Sequence, residues 1–263
     1  LTRATDDLQR LASGEVPEVI QNRGGLPEII LIGQTMNRLA ERMKELTAFA
    51  RAVNADDSGS ELPLAGKNDA LGKELNGLRR KIRDNAAQQQ RNEEENKRRL
   101  YINDGLAKFA DILRTGNTDI TSLGDVFVRE LVKYLGAIQG GLFLLDENGG
   151  DQPVLSLVSS FAYNRKKYLQ KTVAVGEGLV GTCAVEKQMI NMTEIPKGYI
   201  SISSGLGDAK PDNLLLLPVL HENDLVGVLE VASLKKYPDH ELEFAREAAA
   251  SLGSTLIYTR NNH

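Results

Sequence analysis

From Ile32 the apolar positions run Met36, Leu39, Met43, Leu46, Ala50 and Val53, in alternating steps of four and three. Such a heptad seam predicts a helix whose apolar stripe faces other helices. Before it, residues 1–14 read as a shorter amphipathic helix, with Gly14 suited to the left-handed position that ends helices. Residues 15–28 carry Pro17, Gly24, Gly25 and Pro27, too many breakers for a helix, yet Val16, Val19 and Ile20 are apolar enough to dock. The unit then recurs. After Asp56-Asp57-Ser58-Gly59-Ser60, a breaker-rich stretch with Leu62, Pro63, Leu64 and Gly66 leads into a second seam at Leu71, Leu75, Leu78 and Ile82. A connector of about thirteen extended residues can climb back along a helix, so each helix pair is predicted to be parallel. Two chains would close each unit into a four-helix bundle.

Continued in the same register, the second seam becomes polar: Asn85, Gln89, Asn92, Asn96, Arg99 and Asn103, then Leu106, Ala110 and Leu113. Residues 86–99 are all acceptable in a helix, and no break signal falls between Lys67 and Asp104. A helix of about 45 residues would be roughly 70 Å long. Asparagine at a core seam position lowers stability but fixes register and dimeric state. Several in succession predict a soft coupler able to shift between two packings. The alternatives are a solvated helix, or a slipped register that turns Leu100 inward.

Beyond residue 100 the texture changes. Residues 106–113 are helical, ended by Gly116, and Thr121 or Ser122 is expected to cap a helix over 123–135, stopped by Gly136. Strand-like runs follow at 138–145 and 154–163, a short polar helix about 165–170, and a strand at 172–175. Residues 215–220 and 225–233, joined by the turn Glu222-Asn223-Asp224, make a hairpin. Pro238-Asp239 opens a last helix through Leu242, Ala245, Ala249, Leu252 and Leu256. Hairpins with helices at both ends of the segment indicate the α+β class with an antiparallel sheet.

Composition sharpens the division into two unlike parts. Of thirteen aromatics in 263 residues, only Phe49, Tyr101 and Phe109 precede residue 116. Aromatics dominate compact cores, so the first part is not expected to be an ordinary globule. No run of about eighteen apolar residues exists, so no membrane span is predicted. The chain opens at Leu1 without methionine or a secretory signal and stops just after a helical pattern, so a piece of a longer protein is expected. A net charge of −4 with scattered basic residues gives no footprint for nucleic acid. One cysteine and three dispersed histidines do not predict a metal site, and a reducing compartment suits the lone thiol.

The helical part resembles the HAMP signalling module. In 1–46, Glu28 is followed by Ile32, Met36, Asn37 and Leu39 at the offsets of that family's motif, with Pro27 in place of its first acid and Ile30 in place of its usual glycine. Residues 47–83 look like a second, divergent copy: Leu71, Leu75, Asn76 and Leu78 fit, but Gly66-Lys67 stand where an acidic pair belongs. Residues 84–114 would be a coiled-coil signalling helix, and within it Asn92–Leu113 is similar to the helix that often joins HAMP to a GAF domain in bacterial sensor kinases. Residues 115–260 resemble a GAF domain. The matching blocks are Gly176-Glu177-Gly178-Leu179-Val180-Gly181, Ile190-Asn191-Met192, Leu216-Leu217-Pro218-Val219, Val226-Gly227-Val228-Leu229-Glu230-Val231 and the closing helix. The glycine block lacks the βαβ context of a nucleotide loop and is read as a tight turn into a short helix, 179–186, that caps a pocket.

No catalytic constellation is found, and no cofactor is expected. His221 and His240 fall in predicted turns and are read as solvated. Cys183 is either a small buried hydrophobe or a redox or covalent anchor. The resemblance places a candidate pocket on Phe143, Phe161, Leu179, Cys183, Tyr199, Ser201, Ser203, Leu217 and Glu230, with 199, 201 and 203 sharing one face of a strand. It implies a non-catalytic sensory and relay segment, on the cytoplasmic side of an inner-membrane-anchored bacterial protein. The partners it implies are a second copy in a parallel homodimer, an upstream transmembrane sensor and a downstream histidine kinase or other output domain in the same chain. The signal would pass along a seam of Glu28, Ile32, Met36, Leu39, Met43, Leu71, Leu75, Leu78, Asn85, Asn92 and Asn96. The alternative is a GAF-centred small-molecule binding module whose helices only dimerise. Nucleic acid is not an expected partner.

Overall fold

The structure is a computed structural model describing residues 2–16, 27–55, 61–115, 119–146, 152–162, 165–166, 171–196, 199, 202–204, 207–209 and 211–261. The chain divides into two compact units between Glu93 and Glu94.

In the first unit, α1 (Thr2–Ala12) lies against α2 (Pro27–Asn54). Leu11, Met36 and Ala40 form a small buried core, with Val16 and Met43 at its edge. The expected docking residues Val19 and Ile20 lie outside the described residues. The next helix, α3 (Ala70–Thr115), is 46 residues long. The segment between α2 and α3 doubles back. Arg42, about three turns before the end of α2, donates to the Pro63 carbonyl at 2.7 Å and pairs with Asp69 at the head of α3. Asn76, two turns into α3, clamps the Leu62 backbone: it accepts from the N–H at 2.8 Å and donates to the carbonyl at 2.9 Å. The connector therefore retreats along α2 while running opposite to α3, so the two helices point the same way. Asp69 is the acid at this helix start, accepting from the N–H groups of Gly72 and Ala65 at 2.9 Å each, whereas Gly66-Lys67 belong to the connector. Those two bonds and Arg42 hold its carboxylate below the ordinary range.

The seams divide between faces. On α3, Gly72, Asn76 and Arg79 turn into the unit, while Leu71 is 56% exposed and Leu78 54%. On α2, Met36 and Ala40 are buried while Ile32 and Leu39 are half-exposed. From Arg80 to Leu100 every residue of α3 is exposed, including Asn85, Asn92 and Asn96. Nearer its end the helix joins the second unit: Phe109 and Leu113 are buried there, with Leu106 and Ile112 packed alongside. Of the seam positions expected there, Leu106 and Leu113 pack into this chain's own core, whereas Ala110 is exposed and the buried Phe109 lies off that register.

The second unit is α+β. Its sheet contains β1 (Gln139–Asp146), β2 (Val154–Ala162), β3 (Arg165–Lys166), β4 (Thr172–Ala174), β5 (Ile190–Met192), β8 (Asn213–His221) and β9 (Asp224–Ser233). The order is β3-β2-β1-β9-β8-β5, with β4 also pairing β2, and every pairing is antiparallel. A separate small ladder joins β6 (Ile202–Ser204) to β7 (Gly207–Ala209). Two helices, α4 (Ile120–Tyr134) and α6 (Asp239–Asn261), cover one face of the large sheet and the end of α3 packs against them, around Phe127, Leu131, Phe244, Leu252 and their neighbours. The other face carries α5 (Gly178–Glu186).

Several local expectations need correction. The cap of α4 is Asp119, not Thr121 or Ser122: its carboxylate accepts from the Ser122 N–H at 2.9 Å and the Ser122 hydroxyl at 3.0 Å, two bonds that a hydroxyl at 121 or 122 would not make. Residues 165–166 pair with β2 as a strand instead of opening a polar helix; 167–170 lie outside the described residues. His240 begins the second residue of α6, half-buried and edge-on to Tyr101 at 5.2 Å, so neither a turn nor full solvation describes it. His221 closes β8, and its Nδ1 is buried without a hydrogen-bond partner.

Candidate functional site

Strand alternation decides which side chains meet. On β9, Val228, Glu230 and Ala232 face α5, and Leu229 and Val231 face the helical layer. On β8, Leu214 and Leu216 face α5, and Leu215, Leu217 and Val219 the helices. Leu216 stands directly opposite Glu230 in the ladder. Phe143 on β1 joins the α5 side, with Leu155, Val180, Cys183 and Ala184.

Of the nine candidate pocket residues, Phe143, Leu179, Cys183, Tyr199 and Glu230 share this face. Leu217 does not: it is one residue out of phase with Leu216, which moves a side chain to the opposite side of a sheet. Phe161 also lies on the helical side. The β1–β2 register shifts between Leu142 and Phe143, which inserts an extra residue in β2 between Leu157 and Ser159. Leu155 and Leu157 before that bulge face α5, whereas Phe161 after it faces the helices, and Ser159 donates to Asp125 of α4 at 2.7 Å. Ser201 lies outside the described residues. Ser203 is in β6, and its side chain is likewise outside them. Tyr199 precedes that strand instead of lying on it.

The short helix α5 is set by glycines. A side chain at Gly181 would place its first carbon 2.5 Å from the Ala174 carbonyl oxygen, and Gly176, whose N–H donates to the Gly181 carbonyl at 3.0 Å, sits at φ +91°. Only residues without Cβ fit this turn. The block is therefore a tight bend that lays Val180 and Cys183 on the sheet. The Cys183 thiol is fully buried and its hydrogen bond goes to the Gln188 carbonyl at 3.4 Å. Burial pushes its pKa up to about 12, so the thiol stays protonated near neutrality and packs as a small apolar side chain.

One polar cluster interrupts this apolar face. Glu230 is 7% exposed in the middle of a central strand. The Tyr199 hydroxyl donates to its Oε1 at 2.9 Å. Burial raises the Glu230 carboxyl above its ordinary range, while the Tyr199 hydrogen bond and the charge of Lys171 pull it back. The Tyr199 phenol is pushed far up by burial and by the carboxylate beside it. The Lys171 ammonium stands 5.7 Å from the ring centroids of both Phe143 and Tyr199, within cation–π range of each. Sequence reading missed Lys171, which lies just before β4 and reaches this group only through the fold.

This sheet, with helices on one face and a glycine-set short helix over a small polar cluster on the other, defines a sensor-type α+β domain. A family model of the GAF domain matches residues 117–256, more than half of the chain, and the chain belongs to that family, a sensory and ligand-binding module found in signalling proteins. Among solved structures, the GAF domain of the Acinetobacter phosphoenolpyruvate-protein phosphotransferase is similar at 18% identity and TM-score 0.51, covering 61% of this chain and 96% of its own. The corresponding domain from Coxiella burnetii gives the same identity and score, over 62% and 96%. Free methionine-R-sulfoxide reductase from Neisseria meningitidis, solved with its substrate, is 16% identical at TM-score 0.51, over 64% and 94%. These likenesses concern the fold. No curated protein matches the chain. Among the described residues, no helix is long and apolar enough to cross a membrane.

Proposed function

We propose that this chain is a non-catalytic relay segment of a bacterial signalling protein, in which HAMP-like helix pairs pass a displacement along α3 to the GAF domain and on to an output such as a histidine kinase. The observation that carries the reading is the open apolar face of the first unit. Ile32 and Leu39 on α2, and Leu71, Leu78 and Ile82 on α3, are large apolar side chains left 43–56% exposed at heptad positions on helices pointing the same way. A second copy in a parallel homodimer would bury these faces and supply a partner for the exposed length of α3. Helix displacement can then shift a bundle between two packings of similar energy. The parent would be anchored in the inner membrane, with this segment on the cytoplasmic side.

The test is cysteine substitution in the full chain. Leu78→Cys, Asn85→Cys and Asn92→Cys should each cross-link symmetrically under mild oxidation, while Lys73→Cys, off the seam, should not. Failure of all three seam positions would sink the parallel dimer.

A second reading, a small-molecule binding module whose helices only dimerise, is favoured by the cluster of Glu230, Tyr199 and Lys171. A buried carboxylate on an otherwise apolar sheet face is the kind of placed polar group that orients a ligand.

A further inference from the structure

The cluster around Glu230 has the composition of a cation site, and the cation in it belongs to the protein. Phe143, almost fully buried, presents one ring to the Lys171 ammonium, and Tyr199 presents another, each with its centroid at 5.7 Å. Glu230 supplies the carboxyl group, and the Tyr199 hydroxyl, donating to its Oε1 at 2.9 Å, fixes its orientation. Two aromatic faces and one carboxylate form a recognition surface for ammonium ions. Lys171 is an exposed residue immediately before β4, and its ammonium reaches both rings. A lysine stem is long and flexible, so its ammonium can leave for water without disturbing the backbone.

We propose that this cage is a binding site for a small organic ammonium ion, and that Lys171 is its built-in competitor. The inference rests on the ligand-binding reading of the module and names the class of ligand. The selectivity follows from charge. When an incoming ammonium replaces that of Lys171, a positive charge remains near Glu230 and the released lysine is hydrated. A neutral guest of the same shape would leave a buried carboxylate without a cation, which is costly. An anion would be repelled. The neighbouring apolar side chains Val180, Leu216 and Val228 suit the organic part of the guest.

The experiment measures binding to the full chain by calorimetry and thermal shift. The probes are choline, n-butylammonium and the neutral choline isostere 3,3-dimethylbutan-1-ol. Both cations should bind and the neutral isostere should not. Lys171→Met, which removes the competing charge and keeps the stem, should tighten cation binding about tenfold. Lys171→Ala provides a second vacated cage should the first variant misfold. Glu230→Gln should abolish cation binding while far-ultraviolet circular dichroism shows the fold retained. Equal binding of the neutral isostere, or unchanged cation affinity in both Lys171 variants, overturns the proposal. If nucleotides or neutral metabolites raise the melting temperature and no ammonium does, the cation assignment fails while the ligand-binding reading stands. If nothing binds to the wild type or to either Lys171 variant, both fail.

Discussion

Glu130 ties α4 to the end of α3. Its Oε2 lies 2.9 Å from the Lys108 ammonium, and its Oε1 3.3 Å from Lys133 and 3.4 Å from Arg129 Nε. The Lys108 hydrogen bond is the largest influence and, with the other cations, it outweighs burial and holds the carboxyl at about 2. A carboxyl lowered on folding stabilises the native state above its unfolded pKa of about 4.3 and loses that contribution as pH falls toward the folded value. Glu130→Gln should therefore lower stability at pH 7. The lysines are 42–48% exposed, so the difference should be about 1 kcal/mol. Urea titrations at a series of pH values should show the gap shrinking below about pH 4.3 and closing near pH 2. A gap independent of pH would mean that glutamine disturbs packing instead. At this scale sequence is partly legible. Glu230 and Tyr199 are identifiable as chemistry-bearing residues, but their hydrogen bond spans thirty-one positions, and Lys171 joins them from a third place in the chain. Nothing local encodes such a meeting.

The helix α3 shows how one element serves two environments. Phe109 is 1% exposed and meets Phe127 edge-on at 4.9 Å, with Phe244 at 5.4 Å. Tyr101 and Tyr134 donate to each other's carbonyls, at 3.3 Å from Tyr101 and 2.6 Å from Tyr134. A side chain at Gly105 would stand 2.6 Å from the Phe244 ring, so glycine there permits the close approach. Leu100, one turn earlier, is 59% exposed. Phe109→Ala should cost about 3–5 kcal/mol of GAF stability, and Leu100→Ala less than about 0.5 kcal/mol. Thermal unfolding followed by tyrosine near-ultraviolet circular dichroism separates the two, and similar losses would contradict this division of the helix. Between Arg80 and Leu100 every residue of the helix is exposed, without packing from the other described residues. It is held by pairs such as Gln88 with Asn92, Gln89 with Glu93 and Arg99 with Glu95, each worth only tenths of a kcal/mol. The length and continuity of this helix were readable in the sequence. What it faces was not, because a heptad position says which side is apolar and not which surface covers it. The same limit applies to β2, where the bulge near Val158 reverses the faces and carries Phe161 away from the pocket.

For the whole molecule, the open seam makes oligomeric state the decisive property. Leu78→Glu places a charge on the face left unburied by this chain. In the proposed dimer it should shift the protein to monomer in analytical ultracentrifugation, while GAF unfolding stays unchanged. A wild type that is already monomeric at high micromolar concentration would refute the dimer. The same variant distinguishes a seam from a solvated helix, since a charge on a solvated face has little effect.

Sequence alone determined the long N-terminal helices, the uninterrupted α3 among them, and most strands of the α+β domain. These follow from hydrophobic periodicity, glycine and proline placement and the distribution of aromatics, all of which act within a few residues. Tertiary structure decided the rest. It chose Asp119 over its hydroxyl neighbours as a cap, buried Cys183 as packing and divided the expected pocket between two faces of the sheet. It also brought Lys171, Tyr199, Phe143 and Glu230 together. Those outcomes depend on register, a bulge and side chains meeting across long separations, and they are settled only when the whole core closes.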